Sequence, residues 1–483
     1  MRESYTVNYK ALKINLDHNF YGTFAEIGAG QEVARNFFKV GGASDTIAKA
    51  MSAYDMKFSD AIYGEESDGR YVSQSRVEKM LDHEWSLIKE RLQGEKYETK
   101  RYFVFANTVT TINYTKTNEG HGWLGVRFQA REGGPVNTVI LHVRLLDSDA
   151  TLQQSVLGDL GVNLVFACYQ YSSDPNQFVD SLMDNLPKNS LEIDLLSMVG
   201  EAFEGLDNRL LALVLVTKGY SKAACFLPTG EVVHSKDLIY KKDICVLRAR
   251  FKPFTNLNQD MISGAQSQFS KDFDIDLSKI LTLCEMTLNN LADSSPIDIQ
   301  DFLDRTDIIC KLGFPVIVSN FAEHHELTDF LKSCKPNRIS IALGVMNLVH
   351  ILNPNNYKNP TSELLQNFGK LFAHNVRIYA YPYHNLEKNK IWKATDIELP
   401  LAIQGLFRFV LDANQISDIE VFNPKNFEII SSDLIAEIQH NTQGWEAKVP
   451  PIVVELIKEK CLFDYPCDIT IKRKKTKPNL FQI

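Results

Sequence analysis

The hydrophobic period changes several times along the chain, and each change marks an element. Residues 73–92 place Val77, Leu81, Trp85, Ile88 and Leu92 at three- and four-residue spacings, which predicts an amphipathic helix stopped at Gly94. From Arg101 the period is two. Residues 102–114, 123–131 and 136–146 read as strands rich in Val, Thr, Phe and Tyr, joined by turns at Asn118-Glu119-Gly120 and Glu132-Gly133-Gly134, an antiparallel meander. Asp147-Ser148-Asp149 predicts a cap on a helix reaching about Tyr171, and residues 174–186 a shorter helix. Residues 211–217, 222–227, 231–234 and 243–251 repeat the strand-rich character, with Pro228-Thr229-Gly230 as a hairpin turn. Residues 252–276 are polar and poorly periodic, which predicts a linker. Beyond it, residues 277–291 and 299–312 read as amphipathic helices around the break at Asp293-Ser294-Ser295-Pro296. Three short apolar runs then follow, 314–319, 338–343 and 376–381, separated by helical segments, the alternation of βαβ units. Residues 11–16 read as a first strand. The expected class is α/β, a mixed α+β N-terminal part with antiparallel strands followed by a C-terminal βαβ-type parallel sheet. The expected domains are 1–100, 101–255 and 277–483.

Local chemistry is densest between Tyr21 and Met56. A short apolar approach from Phe24 to Ile27 enters Gly28-Ala29-Gly30, and Gln31 and Glu32 open a helical pattern in Val33, Ala34, Phe37 and Phe38. A second turn, Gly41-Gly42, precedes Ser44 and Asp45, either of which suits the cap of a helix carrying Ile47, Ala48, Met51 and Tyr54. Two glycine turns feeding two helix N-termini would present free backbone N–H groups to a phosphate or carboxylate. The expected ligand-binding set is Gly28, Gly30, Gln31, Glu32, Arg35, Gly41, Gly42, Ser44 and Asp45.

A net charge of -8 with Lys and Arg spread along the chain argues against a nucleic-acid groove or an acidic-membrane surface. The basic tail Lys472-Arg473-Lys474-Lys475 with Lys477 reads as a solvated terminus. The eight cysteines are scattered, with no CxxC pair and no histidine at zinc-ligand spacing, so no metal site is expected and all eight thiols are expected free. With no apolar run of membrane-spanning length and no signal-like start, the chain is expected to be cytoplasmic.

If the three C-terminal runs are parallel strands, the loops after them share the carboxyl edge where open α/β sheets bind ligands. Those loops carry a second candidate set, Asn320, His324, His325, Asn347 and His384, against the plainer reading that Glu323, His324 and His325 begin a surface helix. His83, between Asp82 and Glu84, reads as an exposed helical histidine.

EIGAG after its apolar approach resembles the first glycine motif of Rossmann-type cofactor domains, and of S-adenosylmethionine methyltransferases in particular. The acidic residue that should follow about ~20 positions on would be Asp45 or Asp55, which lie in helical surroundings. More widely, YGTFAEIGAGQEVARNFF, TIAKAMSAYDM and LLQNFGKLFAHNVRIYAYP resemble a family of bacterial cytoplasmic proteins sometimes labelled nicotinate-nucleotide or nicotinamide-mononucleotide adenylyltransferases. That label implies an HxxH-type pair after the first strand to hold the triphosphate. No such pair stands there, so no catalytic residue and no cofactor is assigned. GxxxxGK[ST], HExxH and GxSxG are also missing.

Two readings follow. In one, the protein binds a nucleotide-like or other anionic small ligand at the glycine turns, with or without a reaction. In the other it is a homo-oligomeric scaffold whose small residues, Ala25, Gly28, Ala29, Gly30, Gly41, Gly42 and Ala43, pack at a subunit interface. A homo-oligomer is expected in either case.

Overall fold

The computed structural model describes residues 3–67, 69–92, 99–292, 297–373 and 376–467. The Gly94 stop, the 293–296 break and the basic tail lie outside the described residues. Two compact units divide between Lys222 and Ala223.

The first unit contains α1 (Val7–Asn15), β1 (Phe20–Gly28), α2 (Glu32–Lys39), β2 (Ile47–Ala53), α3 (Met56–Tyr63), α4 (Gln74–Arg91), β3 (Arg101–Thr110), β4 (Gly120–Gln129), β5 (Val136–Leu145), α5 (Ala150–Gln170), α6 (Pro175–Leu182), β6 (Leu191–Val199) and α7 (Asn208–Thr217). Its sheet runs β2-β1-β3-β4-β5-β6. β1 is parallel to both β2 and β3, while β3 through β5 form the antiparallel meander read from the sequence and β6, not read from it, pairs antiparallel with β5. Buried α5 is the spine of one face, its start capped by Asp149, which accepts from the Thr151 and Leu152 N–H groups. α2 presses into α5 so closely that a Cβ at Gly161 would stand 2.3 Å from Val33 Cγ2.

Residues 11–16, expected as a strand, belong to helix α1. Lys10, Ala11, Ile14 and Asn15 are buried, a helical stripe, and the Lys10 ammonium is neutralised by Asp184 at 2.8 Å and donates to Asn163 Oδ1 at 2.7 Å. Residues 211–217 are helix rather than strand, because a helix buried all round and a buried strand carry the same continuous apolar run. The pattern around Ile47 that suggested a helix is edge strand β2, whose outward residues are free of any period because solvent takes them.

The second unit contains β7 (Ala223–Phe226), β8 (Val232–Val233), α8 (Ser235–Ile239), β9 (Asp243–Arg248), α9 (Asn256–Phe273), β10 (Ile280–Thr287), α10 (Leu288–Leu291), α11 (Ile299–Lys311), β11 (Val316–Ser319), α12 (His324–Ser333), β12 (Arg338–Gly344), α13 (Val345–Leu352), α14 (Pro360–Phe372), β13 (Arg377–Tyr381), β14 (Tyr383–Asn385), β15 (Lys390–Trp392), α15 (Leu401–Asp412), β16 (Ile416–Asp418), α16 (Ser431–Gln439) and α17 (Pro451–Lys460). The sheet order is β16-β13-β12-β9-β10-β11-β7-β8. Its six parallel strands, counted from β9, stand in the order 3-2-1-4-5-6 of a doubly wound fold. The parallel C-terminal sheet expected from the alternation is therefore present, and it starts earlier than expected. Residues 252–276, expected as a linker, carry α9, whose capping box joins Thr255 and Asn258. Residues 277–291, expected as a helix, are mainly β10, a strand paired on both sides; buried Thr282 and Glu285 interrupt its apolar run and imitate an amphipathic period.

Cys461 and Cys467 are joined as a disulfide with Cα atoms 5.8 Å apart, which corrects the expectation of eight free thiols and removes its support for a reducing compartment. The other six are free and buried. Alkylation in denaturant without reductant is expected to label six cysteines and leave this pair unlabelled; eight labelled cysteines in intact-mass spectra would refute the pairing. Among the described residues no helix is long and apolar enough to cross a membrane.

Candidate functional site

β1 carries one charged residue in an otherwise uncharged strand, Glu26, and the structure makes it the centre of the glycine segment. Its side chain points to the face covered by α2, as does Phe24, which packs on Phe37 with ring centroids 5.0 Å apart. α2 lacks a side-chain cap of its own at Gln31. Glu26 supplies one from the neighbouring strand: Oε1 accepts from the Val33 and Ala34 N–H groups at 3.1 and 3.3 Å. The carboxylate thus occupies the positive end of the helix that the sequence offered to a ligand's anion. Among the described residues Oε2 makes no hydrogen bond. Burial drives the Glu26 pKa up to about 7, although the two backbone bonds act the other way.

The turn before α2 is closed against the chain itself. Gly28 has φ +72°, a left-handed value, and a Cβ there would lie 2.4 Å from the Val109 carbonyl oxygen. A Cβ on Gly30 would lie 2.2 Å from Asn107 Oδ1, and Asn107 Nδ2 donates to the Gly30 carbonyl at 2.9 Å. Both glycines are thus required by close contact with β3 of their own chain.

Gln31, Ala34, Arg35, Phe38 and Lys39 line one side of an open cleft of about 540 Å³, Ala50 and Ser52 of β2 the other, and Glu26 its floor. Arg35 is exposed and meets Glu32 at 3.1 Å on the rim. Ser52 and Asn107 flank Glu26 in register on β2 and β3, so a polar row crosses the sheet beneath the helix start.

The second glycine turn is elsewhere and of opposite polarity. Gly41, with φ +80°, follows the last turn of α2, so this end presents carbonyls, and Asn15 Nδ2 donates to the Phe37 and Gly41 oxygens at 2.8 and 2.7 Å. Gly42, Ser44 and Asp45 adjoin or form a three-residue 3-10 turn before β2, and exposed Asp45 stands 4.0 Å from His18. An eight-residue helix, about 12 Å, separates this turn from Gly30. Of the expected ligand set, the structure groups Gly28, Gly30, Gln31, Glu32 and Arg35, and it separates Gly41, Gly42, Ser44 and Asp45. Sequence reasoning missed Glu26, Lys39 and Ser52; the signal available was a lone carboxylate facing inward in FYGTFAEIG.

The second expected set is also divided. Asn320, His324 and His325 follow β11, where Glu323 and Glu326 form the capping box of α12 and the two histidines open that helix. Asn347 lies in the first turn of α13. His384 lies in β14 against Phe427, ring centroids 6.2 Å apart. β11 and β13 are four strand spacings apart in the sheet, about 19 Å, so these three loops do not converge on one ligand.

No family model matches the chain, and no curated protein matches it. Similar solved structures include the competence/damage inducible protein CihA from Agrobacterium tumefaciens, at 16% identity over 35% of this chain and 99% of that one, with a TM-score of 0.25. The competence or damage-inducible protein from Enterobacter asburiae, at 14% identity, covers 34% of this chain and 98% of its own, also at 0.25. A CinA superfamily protein from Enterobacter cloacae, at 12% identity, covers 38% and 95%, again at 0.25. Likeness at this level carries no argument about activity. The adenylyltransferase label finds no support in any of these comparisons.

Proposed function

We propose that the protein binds a small nucleotide-like or other anionic ligand in the cleft between α2 and β2. The observation that carries this reading is Glu26, a buried carboxylate on the floor of an open cleft with one oxygen unbonded. Buried carboxylates with pKa values near neutrality are concentrated at ligand and catalytic sites, because retaining an unpaired one costs stability. The cleft holds two kinds of partner. Glu26 takes a hydrogen-bond donor of the ligand, an amide, hydroxyl or amine, and the Arg35 and Lys39 side chains take a carboxylate or phosphate. Between the helix start above Glu26 and Lys39 lie about five residues of α2, roughly 8 Å, which is the scale of a mononucleotide. In this reading the anion meets cationic side chains on α2, because Glu26 already accepts from the Val33 and Ala34 N–H groups at the helix start. A carboxyl that titrates near pH 7 also suits proton exchange with the ligand.

Calorimetric titration with nucleoside monophosphates, sugar phosphates and dicarboxylates tests the reading. At least one is expected to bind saturably, with affinity about tenfold or more weaker in Arg35→Ala/Lys39→Ala, because charge-assisted hydrogen bonds are lost. The absence of any binder, or binders indifferent both to that double substitution and to Glu26→Gln, would remove the cleft from consideration.

A further inference from the structure

The sheet of the second unit reverses its strand order between β9 and β12, and the side chains at that carboxyl edge form a row. Arg248, the last residue of β9, stands in register beside Glu285 of β10, and Leu343 of β12 follows the Ala342–Leu247 pair on its other side. Two residues past the Glu285–Ile317 pair, β11 ends at Ser319. Arg248 and Glu285 alternate with the same parity as core residues Val246 and Leu283, so they top the apolar layer that also holds Leu327 of α12 and Leu348 of α13. Glu285 is fully buried and Arg248 nearly so. Arg248 donates from Nε to Oε2 at 2.7 Å and from Nη2 to Oε1 at 3.0 Å, and Ser319 Oγ donates to Oε1 at 2.6 Å. Glu285 thus balances the guanidinium's charge and fixes its plane. Nη1 is left without a hydrogen bond among the described residues.

Two further groups are unsatisfied at the same edge. His324 Nε2, in the first turn of α12, is buried without a hydrogen-bond partner. Burial first, then the nearby Arg248 charge and His350, hold its pKa near 3, so the imidazole is neutral and has one N–H to offer. The eight-residue α13 begins at Gly344 with no side-chain cap, whereas α9 and α10 at this edge are capped by Thr255 and Thr287. Space stands open over that start: a Cβ on Gly344 would meet Asn347 Nδ2 alone, at 4.0 Å. A guanidinium N–H, an imidazole N–H and the first-turn backbone N–H groups are all donors, and the one carboxylate in the row is already taken.

We propose that the carboxyl edge over β9 and β12 is an oxyanion site, built from Arg248, His324 and the first turn of α13, which takes the phosphate or carboxylate group of a small metabolite. Open α/β sheets bind ligands at this reversal, and helix starts bind anions there. The loop after β9, Ala249-Arg250-Phe251-Lys252-Pro253-Phe254, has no glycine, so the site lacks the dinucleotide cradle and holds a single anionic group.

Calorimetry on the full chain with inorganic phosphate and with acetate tests the site, and the tighter of the two names the group. Asn347→Asp places an internal carboxylate in the first turn of α13, where it favours the helix and competes with a bound anion. Measured in an Arg35→Ala/Lys39→Ala background, in which the cations of the first unit's cleft are gone, both this substitution and His324→Ala are expected to weaken binding about tenfold or more. In that background, absence of binding by either anion, or binding that survives both substitutions, would overturn the proposal.

Discussion

Glu26→Gln is expected to stabilise the first unit at pH 8 by about 3 kcal/mol and to change it by under about 1 kcal/mol at pH 5. In the unfolded chain this carboxyl titrates near 4.5, and in the folded protein at about 7 because burial opposes its charge. The folded state therefore holds the proton more tightly. Its contribution is intact below pH 4.5 and is lost as the pH rises through 7. Glutamine keeps an acceptor for the Val33 and Ala34 N–H groups and carries no charge, so it should escape that loss. Urea unfolding of wild type and variant at the two pH values, read on the first unit's transition, measures the difference. A variant less stable than wild type at pH 8 would show that the ionised carboxylate has a stabilising partner and would contradict this account. If the cleft reading is right, the same substitution alters the pH dependence of ligand binding, a stability cost retained for function.

Gly30→Val and Gly28→Val are each expected to destabilise the first unit by about 2–4 kcal/mol, for different reasons. At Gly28 the obstacle is the backbone oxygen of Val109, which cannot turn away, and the left-handed φ adds strain. At Gly30 it is the Asn107 side chain, buried in the polar row beside Glu26. Gly30→Ala should therefore be less harmful in an Asn107→Ala background than in wild type, whereas Gly28→Ala should not be rescued by it. Thermal and urea unfolding of the four combinations forms a double-mutant cycle. Additive effects at Gly30 and Asn107 would refute the close approach.

The sequence by itself determined the elements that carry a helical period, a capping residue or a short β-rich run between turns. Helix α4 was legible because solvent imposes a period on one side of it, α5 from its Asp149 cap, and the largely buried strands β3 to β5 and β11 to β13 from short β-branched and aromatic runs bounded by turns or helical segments. It also located the glycine turn before α2. Tertiary structure decided the rest. α7 and β10 are buried all round, so no solvent-facing period distinguishes helix from strand, and only their neighbours did. The second glycine turn was legible as a turn, but whether it opened or closed a helix depended on Asn15, 26 residues before Gly41, reaching the last carbonyls of α2. The candidate site depended on the same kind of distance. Glu26 caps a helix that begins six residues later because β1 and α2 fold back on each other, and Arg248, Glu285 and Ser319 meet because β9, β10 and β11 are neighbours in the sheet. Side chains brought together by strand order leave no fixed spacing in the chain, so a motif search does not find them.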